Sequence, residues 1–301
     1  MQLTILGTSS MVPTKERNVS GIFLDYNGDC MLIDCGEGTQ RQMNIAGINR
    51  NKVKKVLITH WHGDHVSGLI GLIQTLGNSE IEEPTLHVFG PKGTKERMFH
   101  LMNTVSFESK VNVKVKDLDP RGKLLKFFEN TDYALECIDM RHSTPCLGYS
   151  FVEKDKLRIQ MPKAKKLGLK EGPLIGKLQR GETVKVKGKE ITPEMVATQQ
   201  KGKKVTFIMD TQQTNNTLVL AESADLLVIE TTYLAEKEEN ALKFKHMTTN
   251  QVGMIAHTAG VKKMIMTHFS QRYKETGEFE KEARLHFPES YAAYDFMKIK
   301  V

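Results

Sequence analysis

The order of hydrophobic and polar residues divides the chain into strand-length and helix-length pieces. Apolar runs bounded by turn residues predict strands at residues 3–8, 21–26, 30–36, 53–60, 85–90, 111–118, 133–140 and 147–153. The pattern resumes after residue 204 and predicts strands at residues 204–210, 225–233 and 261–269. Apolar residues at helical spacing predict helices at residues 66–76, 94–105 and 248–260, and the first of these begins just past His65.

Many of the predicted strands end in a histidine or an aspartate before the chain turns into a loop or a helix. This repeated theme in both halves of the chain predicts two sheets with helices on their outer faces. The fold class is therefore α/β, with a site at the edge where the strands end. We expect a single domain from residue 1 to residue 301.

Residues 162–193 differ in composition from both halves. They are rich in glycine and lysine and include Pro162, Pro173 and Pro193, which favours an extended excursion over a core segment. From Lys163 to Lys204 the chain has 12 Lys/Arg and 4 Asp/Glu, against 43 and 36 in the whole chain. This segment alone thus carries the surplus of positive charge. Such a run is either a solvated face or a surface that binds a polyanion such as nucleic acid.

Composition narrows the class of protein further. Hydrophobic residues make up 39% and charged residues 26% of the chain, as in ordinary soluble globular proteins. No apolar run approaches the roughly 20 residues of a membrane helix, and the start has no signal-peptide pattern. The cysteines form no C-x-x-C pair, so we expect reduced packing residues in a cytoplasmic protein; they are Cys30, Cys35, Cys137 and Cys146.

Seven residues at strand ends are candidate metal ligands. Four of them crowd into the turn "HWHGDH", and the others follow later strands; together they are His60, His62, Asp64, His65, His142, Asp210 and His268. Imidazole and carboxylate ligands without cysteine indicate a catalytic site for zinc or a similar divalent ion. Seven ligands are more than one tetrahedral ion binds, and they suit two ions bridged by a carboxylate. Two such ions can activate water and stabilise charge on a phosphoryl or carbonyl oxygen.

The turn "THWHGDH" resembles the H-x-H-x-D-H signature of the metallo-β-lactamase superfamily, an αββα sandwich with a binuclear site. A closer resemblance, over nearly the whole chain, is to the tRNase Z family, endonucleases that remove the 3′ trailer from precursor tRNA and leave a 3′-hydroxyl on the tRNA and a 5′-phosphate on the trailer. The segments that carry it include "LIDCGEGTQRQM", "RHSTPCLGYSF", "EGPLIGKLQRGETV", "MDTQQTNN", "VIETTY", "HMTTNQ" and "THFSQRY". The resemblance implies an αββα sandwich with an inserted basic flexible arm at residues 162–193.

The resemblance also implies a role for each site residue. One zinc ion would bind His60, His62 and His142, the other Asp64, His65 and His268, with Asp210 as the bridge. Manganese, iron or cobalt could replace zinc.

By the same resemblance, Asp64 would also orient or deprotonate the attacking water. His246, held by Glu230, would protonate the leaving 3′-oxygen, and a carboxylate beside an imidazole is suited to this because it raises the pKa of the ring and fixes its tautomer.

Substrate contacts follow from the resemblance as well. Arg41 could meet a phosphate beside the site, and the arm would grip the tRNA elbow with Gly172, Pro173, Lys177 and Arg180. The family further implies a homodimer in which the arm of one subunit presents precursor tRNA to the site of the other.

Two other functions remain open at this point. One is a small-molecule hydrolase of the same superfamily, such as a phosphodiesterase, although a small substrate needs no distant basic grip. The other is a non-catalytic RNA-binding relative without metals, which is hard to reconcile with a complete ligand set.

Overall fold

The computed structural model describes residues 1–79, 82–107, 110–186 and 188–301. The described residues form twenty strands: β1 (Gln2–Gly7), β2 (Ser9–Ser10), β3 (Gly21–Tyr26), β4 (Asp29–Ile33), β5 (Val53–Leu57), β6 (Thr85–Pro91), β7 (Asn112–Leu118), β8 (Leu125–Glu129), β9 (Tyr133–Met140), β10 (Cys146–Glu153), β11 (Lys156–Ile159), β12 (Val184–Val186), β13 (Lys189–Ile191), β14 (Ala197–Gln200), β15 (Lys204–Ile208), β16 (Leu226–Glu230), β17 (Met264–Thr267), β18 (Phe269–Ser270), β19 (Ser290–Ala292) and β20 (Lys298–Lys300).

The same residues form eleven α-helices: α1 (Thr39–Ile45), α2 (Gly63–Val66), α3 (Leu69–Gly77), α4 (Thr94–Met102), α5 (Met161–Lys166), α6 (Pro173–Gln179), α7 (Pro193–Val196), α8 (Asn215–Ala221), α9 (Glu238–Phe244), α10 (Thr249–Thr258) and α11 (Gly277–Arg284). Two short 3-10 helices lie at Arg50–Lys52 and Ala235–Lys237. The strands and helices expected from the apolar pattern are confirmed, with ends that shift by a few residues. The pattern missed shorter elements, among them β8, β20, α1 and α9.

One compact unit comprises residues 1–128, 135–151 and 204–301. It contains two seven-stranded sheets, in the orders β20-β1-β3-β4-β5-β6-β7 and β19-β17-β16-β15-β10-β9-β8. Strands β4 to β7 pair in parallel in the first sheet, and β15, β16, β17 and β19 pair in parallel in the second. Parallel strands end at the same edge of their sheet, so the residues that follow β15 and β17 can meet.

Aromatic side chains join the two sheets of this unit face to face. Tyr26 of β3 contacts Phe151 of β10 with ring centroids 5.0 Å apart, and Phe89 of β6 contacts Phe127 of β8 at the same distance. Buried residues of α1, α3 and α4 pack with the first sheet, and those of α8, α10 and α11 pack with the second. The expected layers of an αββα sandwich are therefore confirmed.

The turn that bears four candidate ligands depends on two glycines. A Cβ atom at Gly36 would lie 2.2 Å from the main-chain oxygen of Asp64, and one at Gly68 would lie 2.2 Å from the oxygen of Gly36. This close approach lets Cys35 bond the turn twice, by donating to His65 O at 2.8 Å and accepting from Gly68 N at 2.9 Å. The helix expected just past His65 therefore starts earlier, as the single turn α2, and resumes as α3.

Residues 129–134 and 152–203 form a second compact unit. It consists of α5, α6, α7 and two antiparallel strand pairs, β11 with β14 and β12 with β13. Its own small core consists of Ala164, Leu169, Leu178, Val184, Ile191 and Val196. The structure thus differs from the extended segment expected from the composition, because the apolar residues between the lysines are enough to fill a core. The predicted arm, residues 162–193, lies inside this unit.

All four cysteines are buried and unpaired, as predicted for packing residues. Burial raises the pKa of the Cys30, Cys35 and Cys137 thiols to about 12. Within the described ranges, no helix has both the length and the apolar character needed to cross a membrane.

Candidate metal centre and proton donor

The seven predicted ligands converge at the strand ends of the first unit. His60 and His62 follow β5, and His65 lies in α2 behind Asp64. The remaining three come from the other sheet: His142 follows β9, Asp210 follows β15, and His268 separates β17 from β18. His268 has a φ of 62°, an uncommon value for a residue with a side chain, at the point where β17 ends.

Donor atoms of these residues form two groups that could each hold a metal ion. In one group, one donor atom from each of His60, His62, His142 and Asp210 lies within 4.8 Å of the others; Asp64, His65 and His268 form a second such group. Asp210 faces both groups. Its Oδ2 lies 3.7 Å from His60 Nε2, and its Oδ1 lies 3.3 Å from His65 Nε2.

Neighbouring side chains fix the protonation of the two buried imidazoles nearest the turn. Nδ1 of His65 lies 2.7 Å from Oδ2 of Asp34, a carboxylate that can only accept. The Thr59 hydroxyl donates to the same carboxylate oxygen at 2.7 Å and so accepts from Nδ1 of His60 at 3.1 Å. Both rings therefore carry their proton on Nδ1 and present the lone pair of Nε2 to the cluster.

The rings from the second sheet are fixed in the same way. Nδ1 of His142 donates to the main-chain oxygen of Lys245 at 3.1 Å. Nδ1 of His268 donates a hydrogen bond at 3.2 Å to the Thr232 hydroxyl, and this hydroxyl donates a hydrogen bond to Glu230 Oε2 at 2.8 Å. Both Nε2 atoms are therefore acceptors as well, and they too point at the cluster.

This arrangement fits a bound cation. Two lone pairs face each other at a short distance, because His65 Nε2 lies 3.3 Å from His268 Nε2. Within the described residues, the buried Oδ1 of Asp210 makes no hydrogen bond. Lone pairs this close repel unless positive charge lies between them, and a divalent ion supplies it. The donor set therefore fits divalent metal ions, which the cluster of the first unit would hold.

The charges of the cluster act on the pKa values of its members. Burial lowers the pKa of His60 well below its usual value, so this ring is neutral and ready to act as a ligand. Burial raises the pKa of Asp64, but the imidazole rings of His268 and His65 beside it lower it more, so the pKa of Asp64 lies far below its usual range. The main-chain N–H of Met11 also donates to Asp64 Oδ2, at 2.8 Å. Asp64 is therefore ionised, so it could accept a proton or bind a metal ion at the edge of the cluster.

Beside the cluster, Glu230 and His246 form a buried acid–imidazole pair. Nδ1 of His246 donates to Glu230 Oε1 at 2.9 Å, and the main-chain N–H of Thr211 donates to the same oxygen at 2.9 Å. Burial lowers the pKa of His246, but the charge and hydrogen bond of Glu230 more than compensate and raise it to about 9. Donor atoms of His246, Asp210 and His268 could also hold an ion. The protonated ring is better suited to donating a proton, because an imidazolium cannot be a ligand.

A helix end delivers His246 to this position. Helix α9 ends at Phe244, and Lys245 turns the chain with a φ of 58°, a left-handed conformation usually taken by glycine. The N–H of His246 then returns to Ala241 O at 2.8 Å. Lys245 also bonds His142 twice, through its own oxygen and through its Nζ, which donates to His142 O at 3.2 Å. The turn that bears His246 is thus bonded to His142 of the cluster.

An open cleft of about 790 Å³ leads to these residues. It is lined, among others, by Asp64, His142, Asp210 and His246. Arg41, predicted to meet a phosphate here, is exposed on α1 and is not among the lining residues; Glu37 lines the cleft instead. The substrate contact of Arg41 therefore stays a prediction.

The four arm residues lie in the second unit. Gly172 precedes α6, Pro173 opens it, and Lys177 and Arg180 lie at its end; all four are exposed. Exposure leaves them available to a partner, and their binding role stays a prediction.

Sequence reasoning missed the residues that orient the ligands. Asp34 directly follows the apolar run of β4, as the ligands follow their strands, and this could have marked it. Thr59, Thr232 and Lys245 carry no such signal, because threonine and lysine occur at many strand and helix ends.

Comparison with known proteins agrees with this geometry. The fold and the clustered donors define the metallo-β-lactamase class, and residues 14–155 match the family model described as the metallo-beta-lactamase superfamily. The chain is 42% identical over 302 residues to the ribonuclease Z of Methanothermobacter thermautotrophicus, covering 100% of this chain and 97% of that protein. It is 36% identical to the ribonuclease Z of Thermobifida fusca, with 100% and 94% covered. The chain belongs to the ribonuclease Z family.

A solved structure shows the same fold. The crystal structure of the short form of human tRNase Z superimposes with a TM-score of 0.73 at 24% sequence identity, covering 100% of this chain and 99% of that one.

The hydrogen bond between Asp34 and His65 provides a test of the centre. In Asp34→Asn, the amide N–H₂ can face His65 Nδ1 as a donor. Nδ1 would then be the acceptor, the proton of the ring would lie on Nε2, and Nε2 would no longer offer a lone pair to the cluster. We expect affinity for Zn²⁺ to fall about 10- to 100-fold, measured by competition with a chromophoric chelator. The control is Asp117→Asn, because Asp117 also accepts main-chain N–H groups, those of Gly93 and Lys95, at another site. Wild-type affinity in Asp34→Asn would show that this bond does not orient the ligand.

Proposed function

We propose that this protein is a metal-dependent endoribonuclease that removes the 3′ trailer from precursor tRNA. Its products are a tRNA with a 3′-hydroxyl and a trailer with a 5′-phosphate. Membership of the ribonuclease Z family supports the substrate. The observation that carries the chemistry is the Glu230–His246 pair beside two groups of metal ligands, because it supplies a proton donor where a phosphodiester oxygen must leave.

Two zinc ions per chain complete the proposal. His60, His62 and His142 would hold one, Asp64, His65 and His268 the other, with Asp210 between them. The support is that each carboxylate oxygen of Asp210 faces a different group. When bound, divalent ions supply Lewis-acid chemistry: they stabilise negative charge on a phosphoryl oxygen and lower the pKa of water. The set of nitrogen and oxygen donors without thiolate suits zinc, and also manganese, iron or cobalt.

Protein side chains move the protons of the reaction. A water molecule attacks phosphorus, and Asp64, ionised and oriented by the Met11 N–H, accepts a proton from it. As the bond between phosphorus and the 3′-oxygen breaks, its electron pair stays on the oxygen. His246 then donates its Nε2 proton to that oxygen, while Glu230 keeps hold of Nδ1. One proton is taken up and one is given, so the charge balances.

The basic arm supplies the grip on the substrate. Lys177 on α6 and Lys163, Lys165 and Lys166 on α5 are exposed, and no acidic residue lies in either helix. Arg180, also exposed, directly follows α6 and bonds Glu182 at 2.8 Å. Lysine and arginine on such a surface contact backbone phosphates without reading sequence, which suits an enzyme that accepts many tRNAs. The homodimer and the cytoplasmic location stay predictions.

The ends of the products test the function directly. Incubated with a precursor tRNA, the wild-type protein is expected to release a trailer with a 5′-phosphate and a tRNA with a 3′-hydroxyl. A 5′-phosphate-dependent exonuclease should degrade the trailer, and an RNA ligase should join an adapter to the 3′-hydroxyl of the tRNA. Asp64→Ala should reduce cleavage by about 10²–10⁴ because the proton acceptor is lost. A 2′,3′-cyclic phosphate on the tRNA would exclude the proposed chemistry.

Metal content tests the two-ion centre. Elemental analysis of protein purified without chelator is expected to give two ions per chain, and removal of the metal should abolish cleavage and lower the melting temperature, since the ions bind only the folded chain. Asp210→Ala should lose both ions. Retention of one tight ion by wild type, with Asp64 and His268 away from it in anomalous maps, would contradict the bridged centre.

Substrates with different leaving groups test whether His246 donates a proton. We expect His246→Ala to slow precursor tRNA cleavage by about 10²–10⁴. Hydrolysis of bis(p-nitrophenyl) phosphate should be nearly spared, because nitrophenolate leaves without a proton. His257→Ala, an exposed histidine on α10, serves as the control. Equal losses on the two substrates would argue against proton donation by His246.

The arm separates a tRNA enzyme from a small-molecule hydrolase. Because β11 and β14 pair from Lys156–Gln200 to Ile159–Ala197, a short Gly/Ser linker can replace residues 161–195 without breaking that pair. Hydrolysis of bis(p-nitrophenyl) phosphate should persist, while binding of precursor tRNA weakens and its slope of log affinity against log salt becomes shallower by about 0.7 to 0.9 per lost contact.

Two point variants keep the core of the arm intact. Lys177→Gln with Arg180→Gln should reproduce part of the loss, whereas Lys52→Gln with Lys54→Gln, which removes the same charge from exposed positions near β5, should not. Unchanged tRNA binding in the arm variants would reduce the arm to a solvated face.

A further inference from the structure

The end of helix α9 places an exposed aromatic ring in the cleft. Lys243 and Phe244, its last two residues, line the cleft directly before Lys245 and His246. Phe244 is 48% exposed, although most large apolar side chains of this unit are buried. Phe244 takes no part in the ligand clusters or in the core of the second sheet. The ring is therefore apolar surface that the catalytic residues do not use.

The surroundings hold this helix end in place. Gln212 Nε2 donates to the main-chain oxygen of Leu242 at 3.2 Å, and the two hydrogen bonds between Lys245 and His142 follow directly after Phe244. A helix end bonded on both sides does not fray freely, so Phe244 keeps its position relative to His246. The main chain that bears the ring is thus held close to His246.

Positive charge accompanies the ring. Lys243 Nζ lies 5.4 Å from the centroid of Phe244, and Arg272 on another wall of the cleft lies over the ring of Tyr233 at 5.2 Å. An aromatic face with cations beside it matches single-stranded RNA, in which an unstacked base offers a flat face and its phosphate a negative charge. A protein partner would not require a cation beside the ring at a catalytic cleft.

We propose that Phe244 stacks on the unpaired nucleobase whose own 3′-oxygen is the leaving group, and that Lys243 contacts an adjacent phosphate. The inference rests on the proposed function. The position follows from the chain: His246, which protonates that 3′-oxygen, lies two residues beyond Phe244, so the same nucleotide lies within reach of both. Stacking accepts every base, so this contact fixes the cleavage position without selecting sequence.

Base removal tests the contact. Phe244→Ala is expected to reduce kcat/KM on precursor tRNA about 5- to 150-fold, and Phe244→Trp should retain most of the wild-type value. A precursor that is abasic at the nucleotide before the cleavage site should be cut by the wild type with a similar loss, and Phe244→Ala should lose nothing further on it. Leu242→Ala is the matched control, because Leu242 is 69% exposed on the same helix and does not line the cleft.

Fluorescence locates the base. With 2-aminopurine at the same nucleotide, binding to Asp64→Ala protein should quench the emission, and the additional change Phe244→Ala should remove the quenching. A probe at the first trailer nucleotide should respond equally in both proteins. Two results would overturn the inference. One is equal quenching in both proteins with the probe at the nucleotide before the cleavage site. The other is that the losses from Phe244→Ala and from the abasic substrate are independent of each other.

The two proposals fail in different ways. If the wild type does not cut precursor tRNA, the proposed function is wrong. If it cuts with the expected ends and Phe244→Ala cuts as well as wild type at low substrate concentration, only the stacking contact is wrong.

Discussion

The site depends on one constraint: imidazole nitrogens and carboxylate oxygens point their lone pairs at the same small volume, although lone pairs repel one another. Each of four rings is forced into this state by an acceptor behind it, for His65 the Asp34 carboxylate and for His142 the oxygen of Lys245. Without a cation this arrangement is repulsive, so the free energy of metal binding and that of folding are coupled. The sheets provide the positions, and the hydrogen bonds behind the rings provide the direction.

Glu230 connects this centre to the proton donor. It is fully buried and accepts hydrogen bonds from His246, Thr211, Thr232 and Met247. Burial raises its pKa, but the charge and hydrogen bond of His246 lower it more and hold it below the usual value. Because Thr232 also accepts from His268, His268 and His246 are both linked to one buried carboxylate. A change at Glu230 would therefore reach both.

In the second unit, the proposed role belongs to residues on the exposed surface, and the interior only supports them. A small core allows short helices to present lysines at fixed positions, while the metal centre is built entirely from residues of the first unit. In the proposed function, the grip on the substrate and the chemistry therefore belong to separate units. The lopsided charge was visible in the sequence; the core beneath it was hidden, because six buried apolar residues are dispersed among glycines, prolines and lysines.

The sequence by itself determined the strands, the main helices and the seven candidate ligands, because apolar periodicity and strand-end position are local properties. It did not reveal Asp34, Thr232 or Lys245 behind the ligands. Their partners lie 31, 36 and 103 residues away along the chain, and no local pattern encodes such pairs. The break between α2 and α3 has the same origin, since Gly68 is required only because the loop at Gly36 packs against it. Tertiary structure decided the direction of each lone pair, since that direction depends on which acceptor the fold brings behind the ring.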